Sequence, residues 1–203
     1  MLYRFLAGFY DIGTGIYFKN NDTNPRNIVA NLITDKDKSV LDLCAGTCQN
    51  SIKIAEVHKH IKVTAIDCSD KMLTVAERKI KKNQLTNIET RVMDATNLDI
   101  KDKSFDVVVI SLVLHEMSEG LQGAILKETN RVLKNNGKLM VVEWSRPITF
   151  GKKIKFSLID LIESDNYMIF MKQDMKEYFN KAGFVIENVL AGDYTKVYQL
   201  KKL

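Results

Sequence analysis

Three aspartates in this chain stand where short apolar runs give out. Asp42 lies in Val40-Leu41-Asp42-Leu43, just ahead of Cys44-Ala45-Gly46-Thr47; Asp67 ends Ala65-Ile66-Asp67 and precedes Cys68; Asp94 closes Val92-Met93-Asp94 and precedes Ala95. A fixed negative charge beside a small-residue loop repels a pyrophosphate but suits a cationic ligand. Asp67 falls twenty-one residues after Gly46, the spacing at which an acid on the neighbouring strand tip accepts hydrogen bonds from a ribose diol. At a third tip, Asp94 can accept from an exocyclic amine while a backbone amide beside it donates to a ring nitrogen. Taken singly, Asp42 and Asp94 also read as helix caps. Taken together, acids at three successive tips read as the seat of an adenosine that carries positive charge.

Gly46 supplies the bend and the close backbone approach such a seat needs, and Ala45 and Thr47 leave room. Against the nucleotide template G-x-G-x-x-G the loop offers Cys44, Gly46 and Gln49, and against G-x-G-x-G it offers Cys44, Gly46 and Cys48. One position in three is glycine each time. An NAD-type oxidoreductase would share Asp67 but lack Asp42 and keep the later loop glycines, so it stands as the alternative. Cys44, Cys48 and Cys68 prompt a metal reading, yet the iron–sulfur spacing C-x-x-x-C-x-x-C needs a cysteine where Ser51 stands, and no metal is expected. The candidate catalytic residues are His115, four residues past Ser111, and then Glu143 at the end of a later apolar run, both as general bases, and Tyr10 near the N-terminus, which could cover the bound ligand. His115 also reads, and more readily, as a structural histidine in the Leu114-His115-Glu116 turn.

These residues need a frame. Short apolar runs alternate with longer amphipathic ones: strands are expected at 39–43, 61–66, 88–92, 105–111 and 138–143, with a helix from Leu121 to Leu133 before the last. Val107-Val108-Val109-Ile110 is apolar throughout, which implies burial on both faces and hence a parallel sheet covered by crossover helices. Such a sheet binds ligands outside the carboxyl ends of its strands. Asn135-Asn136-Gly137 signals a turn between helix and strand. Helices are expected over 155–163 and 173–181, and late strands at 185–191 and 196–200 would close the sheet antiparallel. Residues 1–37 carry Leu2, Phe5, Leu6, Phe9 and Tyr10 at helical spacing, read as a helical lid or as a helix packed on the core.

At 203 residues, 45% hydrophobic and 27% charged, the chain has the makings of one soluble α/β domain. The net charge of +5 comes from scattered lysines, a pattern of solvated surface rather than of a nucleic-acid partner. No apolar run is long enough to span a membrane and no export signal is recognised, so a cytoplasmic protein with reduced cysteines and no integral membrane association is expected.

The segments VLDLCAGTC, VTAIDCSDKML, VMDATNL, FDVVVISLVLHEM and NRVLKNNGKLMVVEW, spanning about Val40 to Trp144 in order, resemble the class I S-adenosylmethionine-dependent methyltransferases. The nearest resemblance is to the ubiquinone and menaquinone C-methyltransferase group. It implies a Rossmann-like, doubly wound, mostly parallel seven-stranded sheet with an antiparallel last strand. It also implies a single domain divided into a lid (1–37), a cofactor core (38–144) and a substrate wall with closing strands (145–203). S-adenosylmethionine is the implied cofactor and S-adenosylhomocysteine its product. The implied contacts are Thr47 in the loop with Cys44 and Ala45, Asp67 at the ribose beside Cys68, Asp94 and Ala95 at the adenine with Met72 on its face, and Ser111 at the fourth tip. Asp42 and Gly46 would shape the methionine end. Family members carry glycine where this chain has Cys48, a strained fit if that residue takes positive φ. The implied acceptor is a small apolar or aromatic molecule walled by residues 148–176, including Phe150, Phe156, Tyr167 and Phe170. A homodimer is the assembly considered, and a catalytically silent S-adenosylmethionine-binding module is a further alternative. Asp67→Ala is expected to weaken S-adenosylhomocysteine binding by about 1–3 kcal/mol, the cost of unpaired ribose hydroxyls; titration calorimetry giving wild-type affinity would refute that role.

Overall fold

The computed structural model describes residues 17–147, 149–162 and 165–203, the side chains of residues 158–162 excepted. Tyr10 and residues 1–16 of the expected lid fall outside these residues. In chain order the elements are α1 (Pro25–Leu32), β1 (Ser39–Leu43), α2 (Gln49–Val57), β2 (Lys62–Asp67), α3 (Asp70–Lys82), β3 (Ile88–Val92) and β4 (Phe105–Ser111). A 3₁₀ turn (Leu114–Glu116) leads to α4 (Glu119–Val132), β5 (Leu133–Trp144), α5 (Phe150–Ile162), α6 (Asp165–Phe170), α7 (Met175–Lys181), β6 (Phe184–Ala191) and β7 (Thr195–Lys202).

One seven-stranded sheet runs in the order β3-β2-β1-β4-β5-β7-β6. The pairs among β1 to β5 are parallel, and β7 runs antiparallel to both β5 and β6. The apolar centre of β4 explains its central place. Val107 and Val109 pack on one face with Val29, Ala30, Ile54 and Ala55 of α1 and α2, while Val108 and Ile110 pack on the other with Ile125, Leu126 and Phe179 of α4 and α7. Two-residue alternation thus serves two cores at once. The chain winds outward from β1 to β3 and then returns to β4 on the other side of β1. That reversal opens a crevice at the carboxyl ends of β1 and β4.

The Asn135-Asn136-Gly137 signal marks a different feature from the expected turn. β5 already begins at Leu133, which pairs with Phe105, and the next pair is Lys138 with Val107. The intervening residues form a bulge inside the strand. A Cβ on Gly137 would meet Leu133 Cδ1 at 2.7 Å and the Asp106 carbonyl oxygen at 2.9 Å. Close approach, not a left-handed backbone, is therefore what requires glycine there.

Between β1 and α2 the backbone turns left-handed three times, at Cys44 (φ 54°), Gly46 (φ 54°) and Cys48 (φ 58°). These are the three glycine positions of G-x-G-x-G, only one of them occupied by glycine. The strain anticipated at Cys48 is present, and Cys44 adds a second instance, each worth about 1–2 kcal/mol. Cys48 recovers part of that by burying its side chain against Ala65, Leu73 and Ala76. It makes no side-chain cap for α2. Asp42 does so instead, from within β1: its Oδ2 accepts from the Ser51 amide at 3.1 Å and the Ser51 hydroxyl at 2.5 Å.

Asp42 is 1% exposed, and its Oδ1 has no hydrogen-bond partner among the described residues. Burial pushes its carboxyl up to about 6, against the opposing pull of the Ser51 bonds and with help from the negative charge of Asp67. A folded-state pKa above the ordinary 3.8 means that folding holds this proton more tightly. The group's contribution to stability is therefore full below pH 3.8 and is lost as pH rises through about 6. Thermal melts across that window are expected to show a decline in the wild type that Asp42→Asn abolishes; equal slopes would refute the assignment. Cys44→Gly is expected to raise stability by about 1 kcal/mol, a melting-temperature gain of about 2–4 °C, whereas a lower melting temperature would show that thiol packing outweighs the backbone strain.

Candidate functional site

A cavity of about 390 Å³ opens at the carboxyl ends of β1 to β4. Its sheet-side wall is the strand-tip set: Cys44, Ala45, Gly46 and Thr47 after β1, Asp67 and Cys68 after β2 with Met72 on α3, Asp94 and Ala95 after β3, and Ser111 ending β4. Every cofactor position expected from the sequence lines this cavity except Asp42, whose carboxylate is buried behind the loop on Ser51. Its negative charge acts on the loop and helix rather than at the cavity surface.

Asp67 does more than face the cavity. Its Oδ2 accepts from the Gly46 amide at 2.8 Å and its Oδ1 from the Ser69 amide at 2.8 Å. One carboxylate thereby fastens the β1 loop to the β2–α3 turn, and each oxygen keeps a lone pair for a ligand hydroxyl. Ser69 caps α3, accepting from the Met72 amide at 3.4 Å, which sets Met72 at the cavity edge. Asp94 bonds the amide and hydroxyl of Thr96, both at 2.8 Å, and these bonds hold its carboxyl below the usual range. Burial, with the nearby carboxylates of Asp67 and Asp42, pushes the Cys44 thiol up to about 12, and the Cys48 thiol is also raised. Both are therefore neutral thiols near pH 7. Among the described residues no group of three or more His, Cys, Asp or Glu side chains could hold a metal ion.

The opposite wall is apolar and was missed by the sequence reading. It consists of Phe18, Leu112, Val113, Met117, Leu121 and Ile125, with Glu116 among them and Arg26 on α1. Phe18 is held by Asn24, whose side-chain amide donates to the Phe18 carbonyl at 3.0 Å while its Oδ1 caps α1 at the Arg26 amide. The Arg26 guanidinium lies 5.3 Å from the Phe18 ring centroid. Asn24-Pro25 is a recognisable helix start, but nothing local tells that it returns to the strand tips. Leu112 takes φ 54°, an outlier for a branched side chain. The expected wall lies elsewhere: no described residue of 148–176 lines the cavity. Phe156, Tyr167 and Phe170 are buried in packed clusters, and Phe150 faces solvent.

His115 and Glu143 do not line the cavity either. Both are buried, with the Nδ1–H of His115 donating to Glu143 Oε2 at 2.5 Å and the Leu114 amide donating to Glu143 Oε1 at 3.0 Å. Gln122 Nε2 donates to the Leu114 and Met117 carbonyls, and the Tyr167 ring meets the imidazole edge-on at 5.7 Å. Together these contacts pin the 3₁₀ turn that carries Glu116 and Met117 to the cavity. His115 Nε2 stands 3.8 Å from Glu116 Oε1. The pair found by sequence is thus the support of the cavity residue beside it.

The donor set suits a sulfonium nucleoside. Carboxylates and small residues line the strand tips, Arg26 is the one basic side chain lining the cavity among the described residues, and open space faces Gly46, where an added Cβ would find nothing within 4 Å. A family model described as the methyltransferase domain matches residues 40–137. The chain is 29% identical over 215 residues to a demethylmenaquinone methyltransferase of Staphylococcus saprophyticus, covering 96% of this chain and 90% of that one. It is 32% identical over 149 residues to one of Thermotoga maritima, covering 73% of this chain and 62% of that one. Its fold matches that of an S-adenosylmethionine-dependent methyltransferase from Aquifex aeolicus at a TM-score of 0.77 and 18% identity, across 98% of both chains. From the strand-tip chemistry, the topology and these likenesses together, the chain is an S-adenosylmethionine-dependent methyltransferase of the class I fold, with S-adenosylmethionine as its methyl donor, and is similar in sequence to demethylmenaquinone methyltransferases.

Proposed function

We propose that this enzyme methylates a small aromatic or apolar molecule seated against the Phe18, Leu112, Val113, Met117 and Ile125 wall, with Glu116 taking up the acceptor's proton. The observation that carries this reading is the division of one cavity into a carboxylate-bearing half at the strand tips and an apolar half opposite. The names of the relatives, demethylmenaquinone methyltransferases, support an acceptor of that class. Asp67, Asp94 and Ala95, with Met72, would hold the cofactor, whose sulfonium methyl group is already electrophilic when bound. The protein's own task is then to hold the acceptor in line, a contribution of about 7–11 kcal/mol where orientation is good.

Glu116 is the one carboxylate on the apolar wall among the described residues. His115 and Glu143 stand in line behind it, at 3.8 Å and then 2.5 Å, and are proposed as positioning residues. We extend the reading to residues 17–37 as a partial cover for the cavity: Phe18, Pro25 and Arg26 line it, while Val29, Ala30 and Ile33 are anchored in the core.

Incubation with S-adenosylmethionine and a short-chain demethylmenaquinone analogue, followed by mass spectrometry, is expected to give a product one methyl group heavier. S-adenosylhomocysteine binding without turnover on any aromatic or apolar acceptor would overturn the proposal. Glu116→Gln is expected to lower turnover by roughly 10²–10⁴-fold, the range of a lost general base, with S-adenosylhomocysteine affinity unchanged. Wild-type turnover in that variant would remove Glu116 from the mechanism.

A further inference from the structure

We propose that α5 is a surface anchor that lays its exposed side on a lipid bilayer carrying anionic headgroups, so that a lipophilic acceptor is met at the membrane. The idea deepens the acceptor reading above and rests on it for its purpose, though not for its geometry. Phe150 is 78% exposed and Ile154, one helical turn on, is 58% exposed. The opposite side of the same helix is fastened down: Phe156 is buried, stacked on Tyr194 at 6.5 Å and edge-on to Trp144 at 6.3 Å. Trp144 in turn stacks on Phe18 at 5.9 Å. One aromatic row thus joins α5 to Phe18 in the apolar wall of the cavity.

A singly exposed apolar residue is ordinary. Two on one helical side, both beside lysines, are not. Lys153 and Lys155 flank Ile154 in the chain and are exposed, and Lys19 and Lys152 line the depression next to them, where Asp193 pairs with Lys152 at 2.7 Å. The helix itself carries no acid before Asp160. An apolar stripe bordered by cations, on a helix too short to span, is the arrangement that lies in an anionic interface. The surplus positive charge selects such a surface over a neutral one, and over a second copy of a chain whose own charge is +5.

Sedimentation of the purified chain with phosphatidylcholine vesicles containing phosphatidylglycerol tests the proposal. The wild type is expected to pellet with these vesicles at low salt, to be released at high salt, and to ignore pure phosphatidylcholine. Lys153→Gln with Lys155→Gln is expected to weaken partitioning about 25-fold, at about fivefold per lysine, and Phe150→Ser with Ile154→Ser by at least about tenfold. A thermal shift with S-adenosylhomocysteine establishes that each variant is folded. No pelleting of the wild type, pelleting unchanged in both variants, or a dimer that Phe150→Ser with Ile154→Ser converts to monomer would each overturn the anchor. Turnover of a water-soluble acceptor separates the two readings. Methylation without vesicle binding refutes the anchor alone, and vesicle binding without methylation refutes the acceptor assignment alone.

Discussion

Parallel strand pairing aligns β1 with β2 but says nothing about the loops beyond their tips. The Asp67 carboxylate supplies that missing constraint by accepting from Gly46 on one loop and Ser69 on the other. The first two strand tips hang from this bridge: the left-handed turn at Gly46, the start of α3, and Met72 in its first turn. A charge-assisted bond to a backbone amide is about twice as strong as a neutral one. Two of them on one side chain make a stiff corner, and a rigid corner is what a reaction governed by placement requires.

That stiffness is bought against local strain. Cys44 and Cys48 hold left-handed conformations without the freedom of glycine, and Leu112 does so across the cavity. Three strained residues around one cavity, on loops tied to buried carboxylates, fit the general pattern in which a fold over-determines the backbone of its site. Asp42 belongs to the same device. Buried, bonded through Oδ2 to Ser51 and held near pKa 6, it locks the start of α2 to β1, and its raised pKa means that its contribution to stability fades as pH rises through about 6.

The parallel core was legible because its signals are local. Val107 to Ile110 could only be a strand buried on both faces, and the Gly46 to Asp67 interval already implied neighbouring tips. The apolar wall was not legible, because Phe18 reaches it through Asn24 and α1 from far outside the strand-tip motifs, and such long-range closure leaves no spacing to read. His115 was the conspicuous residue of its turn, yet a histidine bonded to a buried glutamate is supported inward, and the less conspicuous Glu116 beside it faces the cavity. Asn135-Asn136-Gly137 misled for a related reason: turn-forming residues also serve bulges, and only the partner strand decides which.

The insertion of β7 between β5 and β6 governs how the molecule can assemble. β6 and β7 join through the tight Gly192 turn, where the Gly192 amide donates to the Thr195 carbonyl, so the ribbon can form by itself from neighbouring residues. It completes the sheet only when its second strand finds β5, some fifty residues earlier in the chain. Closing that long interval is the entropically slow event, and until it happens the far edge of β5 is an open ladder. Molecules interrupted at this stage would pair edge to edge with one another, which makes the docking of this ribbon the step where productive folding and aggregation compete.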